Sequence, residues 1–315
     1  MKTTQGLFLL LAPVLLAVQI SLSEPAPIPI INVHESVESV AEIVKLQNVM
    51  GAVGMTGVIL QGIPEDLIDF GAEEADLSAV EENNAALKQV LEAYPEQFSY
   101  FCSIDPNDAD RLRVLEECLK NGAIGVKLYN GYTYAHELSI DDAKLSDFYT
   151  TLADRQALLM LPVNTSYYES ELRNVLTLNP DLTVICPHFC LSSKDLPRLG
   201  ALMNDFPNLY IDTSFGSLDF VKEGFKTISE NRENFQAFFD TYQDRILFGT
   251  DTVLTSYENK TMDWLAELYG DYMALLSEEE FDSELLQASY TGLELSQSIL
   301  RKVFYKNWYS AQPNL

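Results

Sequence analysis

Residues 98–129 read FSYFCSIDPNDADRLRVLEECLKNGAIGVKLY, and this stretch contains one complete strand-helix-strand unit. Its two ends, 98–105 and 123–129, are short apolar runs rich in aromatic and β-branched residues, as is typical of buried strands. Between them, apolar side chains recur at helical spacing on one face: Leu112, Leu115, Cys118 and Leu119. The stretch therefore predicts a β/α unit of a parallel sheet.

The same alternation continues along the chain after residue 27. Eight apolar runs are separated by amphipathic stretches, and the runs cover 28–34, 56–61, 98–105, 123–129, 157–164, 182–188, 209–214 and 245–251. No change in composition or Gly/Pro-rich linker divides residues 24–315, so we predict one domain, a (β/α)₈ TIM barrel whose last helices lie in 260–315. A doubly wound open sheet is the competing fold, but no glycine-rich phosphate loop follows the first strand.

The composition excludes several classes of function. The 315 residues include 20 Lys and Arg against 47 Asp and Glu, which gives a formal charge of −27. Because this charge repels phosphate groups, we expect no nucleic-acid partner and no anionic membrane partner, and we expect a small-molecule substrate. The chain has only 3 His, so a site that requires four or five imidazoles is excluded.

Residues 1–23 have the organisation of a signal peptide. Lys2 precedes an apolar stretch from Leu7 to Ile20, and small residues at Ser21 and Ser23 precede Glu24. This pattern predicts export to the periplasm or secretion, with cleavage before Glu24. The alternative is an uncleaved membrane anchor, although the apolar stretch is short for a membrane span.

Export would expose four cysteines to an oxidising compartment, and they allow three pairings, which the sequence alone does not resolve: Cys102, Cys118, Cys186 and Cys190. Cys186 and Cys190 flank His188 in CPHFC. Two interpretations of these flanking residues are open. They could form a metal clip with His188, or Cys186 could be a buried free thiol that fills apolar space on a strand.

A barrel of this type carries its chemistry at the carboxyl ends of its strands. The polar residues at those positions are His34, Gln61, Asp105, Lys127, Tyr129, Asn164, His188, Asp212, Ser214 and Asp251. Two of the three histidines are therefore at strand ends. Burying such groups unpaired costs about 1–3 kcal/mol each, which indicates a functional reason for their presence.

Five segments in chain order resemble motifs of the amidohydrolase superfamily: IINVHES at 30–36, FSYFCSIDP with GAIGVKLY at 98–129, LPVNTS at 161–166, CPHFC at 186–190 and RILFGTD at 245–251. The resemblance is to the amidohydrolase-related branch, which includes the aminocarboxymuconate-semialdehyde decarboxylase-like enzymes. It covers nearly the whole chain after the signal peptide. It implies the barrel fold, and it implies a homodimer, since dimers are usual in this branch.

The resemblance also implies a divalent metal, most often zinc, with His34, His188 and Asp251 as its ligands. Ser36 and Asn164 stand where the family pattern has two further histidines. Their neutral hydroxyl and amide oxygens bind zinc weakly compared with imidazole. The ligand set of the family is thus reduced in this sequence.

The leading hypothesis is a metal-dependent hydrolase for a small carboxylate, ester, lactone or amide. In it, Asp251 and His188 are catalytic, and Lys127, Tyr129 and Asn164 contact the substrate. Non-oxidative decarboxylation uses the same scaffold and is an alternative.

Two further hypotheses need no metal. One is acid/base chemistry by His188, Asp251 and Lys127, or no chemistry at all, with Lys127 in a structural ion pair with Asp251 or Asp105. The other is a non-catalytic exported binding protein. Glu35 follows His34 directly on a strand, so we expect its side chain to point to the opposite face and not to bind the metal.

Overall fold

The computed structural model describes residues 27–37, 39–62, 80–255 and 259–312. The predicted signal peptide, residues 1–23, lies outside these described residues and stays a prediction. Within the described part of the chain, no helix has both the length and the apolar composition needed to cross a membrane.

Eight parallel strands form one sheet, and each strand pairs with the next one in the chain. The strands are β1 Ile30–Val37, β2 Met55–Gly62, β3 Phe98–Ser103, β4 Gly125–Lys127, β5 Leu158–Met160, β6 Val184–Cys186, β7 Leu209–Asp212 and β8 Ile246–Leu247. Every predicted apolar run overlaps one of these strands. The predicted (β/α)₈ barrel is confirmed.

Backbone hydrogen bonds between β1 and the segment that begins at β8 close the barrel. Val33 N donates to Phe248 O at 2.8 Å, and Asp251 N donates to His34 O at 2.7 Å. Farther along, Leu254 N donates to Ser36 O at 2.7 Å. Closure therefore places the backbone of Asp251 directly beside that of His34.

Helices follow the strands and cover the outside of the barrel. They are α1 Ile43–Val53, α2 Val80–Ala93, α3 Arg111–Lys120, α4 Ser146–Asp154, α5 Thr165–Leu178, α6 Leu196–Asp205, α7 Leu218–Glu230, α8 Arg232–Tyr242, α9 Met262–Ser277, α10 Gln297–Arg301 and α11 Asn307–Ala311, with short turns of other helix types at Val40–Glu42, Ala143–Leu145 and Lys302–Lys306. Their buried faces pack against the outside of the strands, because each helix has an apolar stripe at helical spacing.

The prediction that 260–315 forms only the last helices is wrong for part of that segment. After α9, two antiparallel strands form a hairpin, β9 Glu280–Ser283 and β10 Ala288–Thr291. Residues of this hairpin pack on α7, where Phe281 and Tyr290 lie against Phe225 with ring centroids 6.3 and 5.5 Å away. Aromatic packing at this surface thus stabilises a hairpin in a segment expected to be helical.

A second, smaller core fills the inside of the barrel. Its buried residues are Ile31, Val33, Ile59, Phe101, Leu158, Met160, Ile185, Leu247 and Trp308. All of these side chains except Trp308, which lies on α11, come from strand positions that alternate with the outward-facing ones, as the pleat requires. The polar side chains of the barrel interior are therefore confined to the carboxyl ends of the strands.

One disulfide joins β3 to the helix that follows it. Cys102 and Cys118 are bonded, with Cα atoms 6.2 Å apart and a separation of 16 positions in the chain. Both residues belong to the buried layer between the sheet and the helices. The bond therefore fixes the first β/α unit described above in its native packing.

We predict that replacing this bond in C102A/C118A lowers the free energy of unfolding by about 3 kcal/mol, because the loop it closes is no longer constrained in the unfolded chain. Urea unfolding followed by circular dichroism measures the change. A loss below about 1 kcal/mol would contradict the prediction.

Candidate active site

His34 lies on β1 with its side chain fully buried. Its Nδ1 atom is 2.8 Å from Asp212 Oδ2 at the end of β7. Its Nε2 atom is 2.9 Å from Lys127 Nζ and 3.3 Å from Asp251 Oδ1. With Nδ1 donating to Asp212, the ring presents its Nε2 lone pair to the centre of the site.

His188 lies on the turn that follows β6. Its Nδ1 atom is 2.9 Å from Ser214 Oγ, its Nε2 atom is 2.8 Å from Tyr132 Oη, and Nε2 is also 3.6 Å from Asp251 Oδ2. Burial lowers the pKa of His188 to about 4, against the opposing effect of Asp251. The imidazole is therefore neutral at pH 7, with Nδ1 as donor and Nε2 as acceptor.

The backbone around His188 has an unusual conformation. Four consecutive residues that are not glycine have positive φ: His188 at 58°, Phe189 at 51°, Cys190 at 54° and Leu191 at 49°. Each such residue costs roughly 1–2 kcal/mol. The bond between Cys186 and Cys190 spans this left-handed turn, with Cα atoms 4.9 Å apart.

Asp251 follows β8 and lies between the two histidines. Burial by itself would raise the pKa of Asp251, but the electrostatic interactions with His34, Lys127 and His188 and the hydrogen bond from Ser36 outweigh burial and hold the pKa well below its usual value. Ser36 Oγ donates to Asp251 Oδ1 at 2.9 Å. The carboxylate is thus ionised and acts as an acceptor.

Asp212 connects the groups around it and is fully buried. Its Oδ1 atom accepts hydrogen bonds from the backbone N–H groups of His188 at 2.9 Å and Ser214 at 3.0 Å, while Oδ2 faces His34. Burial alone would raise its pKa, but His34 and the other donors lower it to about 2. Asp212 therefore fixes the positions of both histidines.

Lys127, at the end of β4, is almost fully buried. Burial lowers its pKa, while Asp251 and Asp212 act in the opposite direction. Its Nζ atom lies 5.1 Å from the centre of the Tyr129 ring, and Tyr129 donates its hydroxyl proton to Gly62 O at 2.8 Å. The predicted ion pair with Asp105 is wrong, because Lys127 Nζ contacts His34 Nε2 instead. The negative charge of Asp251 raises the pKa of Lys127 and so opposes the effect of burial.

The donor set fits a divalent metal. One ligand atom each from His34, His188 and Asp251 lie within 4.8 Å of one another, and all three residues are buried. The Nδ1 atom of each histidine is held by a hydrogen bond, as is common in metal-binding histidines, so Nε2 is the ligand atom. Without a metal, Nε2 of His34 contacts Lys127 Nζ and Nε2 of His188 contacts Tyr132 Oη. Two imidazoles and a carboxylate form a recognised catalytic zinc set.

Two tyrosines cover the site from the loop after β4. Tyr132 and Tyr134 stack with ring centroids 5.1 Å apart. Tyr132 reaches His188, whereas Tyr134 is 41% exposed at the surface. Tyr132 therefore forms an aromatic wall beside His188, and Tyr134 stacks on it.

A family model described as amidohydrolase matches residues 67–307 of this chain. The chain belongs to the amidohydrolase family. The match includes His188 and Asp251 but begins after β1, so His34 is assigned to the site by the geometry described above. No curated protein gives a significant match to this chain.

Solved structures with the same fold include three informative examples. An uncharacterised TIM-barrel protein from Bordetella bronchiseptica is 17% identical, with 90% of this chain and 98% of that chain covered and a TM-score of 0.59. A 5-carboxyvanillate decarboxylase from Sphingomonas paucimobilis is 12% identical, with 92% and 100% covered and a TM-score of 0.58. A 4-oxalomesaconate hydratase from Rhodopseudomonas palustris is 12% identical, with 90% and 95% covered and a TM-score of 0.59. At these identities the likeness shows the fold of the amidohydrolase.

The structure brings together most residues of the predicted site. His34, His188, Asp251 and Lys127 lie within one cluster, and Tyr129 lies beside Lys127. Asn164 has a different environment.

Asn164 caps α5. Its side-chain oxygen accepts from Ser166 N at 3.2 Å, and no described side chain of the cluster bonds to it. Its predicted contact with substrate stays a prediction.

Both interpretations of the cysteines that flank His188 are wrong, the metal clip and the buried free thiol. The sulfur atoms of Cys186 and Cys190 are bonded to each other, so they provide no thiolates for a metal clip with His188. For the same reason, Cys186 is not a free thiol, although it is fully buried as expected.

Two residues of the cluster, Asp212 and Ser214, were not assigned a role from the sequence. Asp212 and Ser214 were among the strand-end positions, and that position was the signal that could have identified them. Tyr132 lies in a loop, where sequence pattern gives no direction for a side chain. Its contact with His188 depends on the path of the loop after β4.

Glu35 points away from the cluster, as expected for a neighbour of His34 on a strand. Asn32 Nδ2 and Thr250 Oγ1 donate to Glu35 Oε2 at 3.1 and 2.9 Å. Burial raises the pKa of Glu35 to about 8. The folded protein therefore keeps this carboxyl group protonated at pH 7, whereas the unfolded chain releases the proton near pH 4.5.

We predict that the free energy of unfolding falls as the pH rises from about 4.5 to about 8, by up to about 5 kcal/mol from this group. The neutral E35Q variant lacks this contribution, so its melting temperature should exceed that of the wild type at pH 8 but not at pH 4.5. Calorimetry at both pH values measures the difference, and the exposed Glu96 provides the control variant E96Q. Identical pH profiles for E35Q and wild type would contradict the prediction.

Proposed function

We propose that this protein is a metal-dependent hydrolase that acts on a small carboxylate, ester, lactone or amide. The observation that carries the proposal is the buried cluster of His34, His188 and Asp251, whose histidines are oriented by Asp212 and Ser214. Buried polar groups each require a hydrogen-bond partner. A cluster without function would not need two buried histidines that are each oriented by such partners.

His34, His188 and Asp251 would hold a divalent metal such as zinc, which would supply Lewis-acid polarisation of a substrate carbonyl. Asp251 keeps its negative charge at neutral pH and is the acceptor for a proton from an attacking water. His188 is neutral and Tyr132 supplies a hydroxyl donor beside it. Together these groups can accept and return one proton during hydrolysis.

Lys127 supports a substrate that carries a carboxylate. Its buried Nζ atom lies 2.9 Å from His34 Nε2 and 5.1 Å from the centre of the Tyr129 ring. The names of two proteins with the same fold, the 5-carboxyvanillate decarboxylase and the 4-oxalomesaconate hydratase, also describe carboxylated compounds. A substrate carboxylate could therefore pair with Lys127.

We predict that the purified protein binds close to one equivalent of zinc or manganese, and that H34A, H188A and D251A each weaken binding by about tenfold or more. Calorimetric titration and elemental mass spectrometry measure affinity and content. The matched control is H136A, because His136 stacks on Tyr168 with ring centroids 3.6 Å apart and lies outside the cluster. Wild-type protein that takes up no metal, even after addition, would contradict the proposal.

A second candidate is metal-free chemistry, or binding without chemistry, and one observation favours it. Lys127 Nζ lies 2.9 Å from His34 Nε2, where an ammonium group competes with a metal for the same lone pair. If the protein uses a metal, this competition lowers the apparent metal affinity.

K127M distinguishes the two candidates. Under the proposed function, removal of the amine raises zinc affinity several-fold, because both the competing donor and the charge repulsion are lost. Calorimetric titration of K127M beside wild type measures this change. Zinc affinity that is absent in both proteins, together with turnover that K127M abolishes, would support the metal-free candidate.

Hydrolysis and decarboxylation give different products from a carboxylated aromatic or lactone substrate. Hydrolysis of an ester or lactone releases an acid, which a pH-stat detects, whereas decarboxylation releases carbon dioxide. A panel of small aryl carboxylates, lactones and anilides, assayed with both detectors, separates the two reactions. Acid release that requires metal is the expected result.

We also propose that the protein is exported and works outside the cytosol as a homodimer. The two disulfides support export, since such bonds persist in oxidising compartments. The acidic composition supports a small-molecule substrate in preference to nucleic acid. Cell fractionation and the mass of the purified protein in solution test these two statements.

A further inference from the structure

We infer that the Cys186–Cys190 disulfide is a positioning element of the active site, which holds the left-handed turn at residues 188–191 and thereby directs His188 at Asp251. The expected effect on metal affinity rests on the proposed function. The effect on the position of His188 does not require a metal.

The turn needs an external constraint because its residues disfavour its conformation. His188, Phe189, Cys190 and Leu191 all have positive φ, and none of them is glycine. Side chains with a Cβ disfavour this region of backbone space. Leu191 is also partly exposed, so packing does not fix its conformation. Without a constraint, the chain would favour a right-handed or extended path after β6.

The disulfide is placed to supply that constraint. Cys186 is the last residue of β6, and Cys190 lies within the turn, so the bond joins the rigid end of a strand to the strained segment. His188 lies midway between them, two positions from each cysteine. A change in the path of the turn therefore displaces the imidazole and its backbone N–H, which donates to Asp212 Oδ1.

Other contacts also touch the turn, and they define the competing explanation. Phe189 packs against Phe215 and Phe235, with ring centroids 5.8 Å away in each case, and Thr165 Oγ1 donates to Cys190 O at 2.9 Å. If these contacts alone determine the conformation, loss of the disulfide leaves His188 in place. The two explanations thus make different predictions for the same variant.

A contribution to overall stability explains the Cys186–Cys190 bond less well than the Cys102–Cys118 bond. The bond between Cys102 and Cys118 spans 16 positions, whereas the bond between Cys186 and Cys190 spans 4. A short closed loop constrains the unfolded chain less than a long one does. The Cys186–Cys190 bond should therefore act mainly on local conformation, and the other bond provides a matched control.

The test compares C186A/C190A with C102A/C118A in the full chain. Ring nitrogen–proton NMR spectra of the metal-free proteins contain signals from only 3 His, and H188Q assigns that of His188. In C186A/C190A we expect the His188 signals to shift or broaden, those of His136 to stay unchanged, and zinc affinity to fall by about tenfold or more. In C102A/C118A we expect unchanged His188 signals and a larger fall in melting temperature.

Leu191→Gly provides a rescue. Glycine tolerates positive φ, so L191G added to C186A/C190A should restore part of the His188 signal and of the zinc affinity. In the disulfide-bonded protein, the same substitution should change neither. Rescue by L191G is not expected if the cysteines act only by filling space.

His188 signals and zinc affinity in C186A/C190A that match those of C102A/C118A would overturn the inference. If C186A/C190A does not fold, C102A/C118A provides the same comparison, because Cys186–Cys190 is its remaining disulfide and dithiothreitol reduces it. Identical His188 signals after refolding with and without dithiothreitol would overturn the inference. If wild-type protein binds no zinc, the proposed function fails, but the His188 signals still decide whether the disulfide positions the ring.

Discussion

The hydrogen bond between His34 Nδ1 and Asp212 Oδ2, 2.8 Å long and fully buried, is the constraint on which the site depends. A buried carboxylate costs several kcal/mol unless its oxygens have partners. Asp212 finds them on three segments, namely β1, the turn after β6 and the segment after β7. Satisfying this one charge therefore brings the two histidines together.

The barrel lowers the cost of burying these polar groups because it separates an apolar layer from a polar one. The interior below the site is filled by aliphatic and aromatic side chains such as Val33 and Phe101, and polar groups are confined to the strand ends. Closure through Asp251 N and His34 O fixes the position of Asp251 by a backbone bond. Barrel closure thus sets the backbone positions of the site, and hydrogen bonds between side chains orient the two imidazole rings.

The sequence was sufficient to predict the eight strands and the position of His34, His188, Asp251 and Lys127, because apolar runs and strand ends follow directly from periodicity. It did not reveal the role of Asp212, since a polar residue at a strand end has no visible partner in a linear chain. The hairpin after α9 depends on aromatic packing with α7, which periodicity does not encode.

Two other features depend on tertiary contacts. Asn164 matches a strand-end position, but β5 ends earlier, and the residue caps α5. The turn after β6 is left-handed through residues that have no intrinsic preference for it, such as Phe189 and Leu191. Sequence pattern predicts ordinary conformations well, and strained conformations at a functional site are the places where it fails.

In the proposed metal centre, His34, His188 and Asp251 hold the ion. X-ray absorption spectroscopy of the zinc-loaded protein tests this proposal, because the spectrum identifies the ligand atoms and their distances. We expect two imidazole nitrogens at about 2.0–2.1 Å, with oxygen ligands at about 2.0–2.2 Å. A spectrum with sulfur ligands near 2.3 Å, or with an all-oxygen shell, would contradict it.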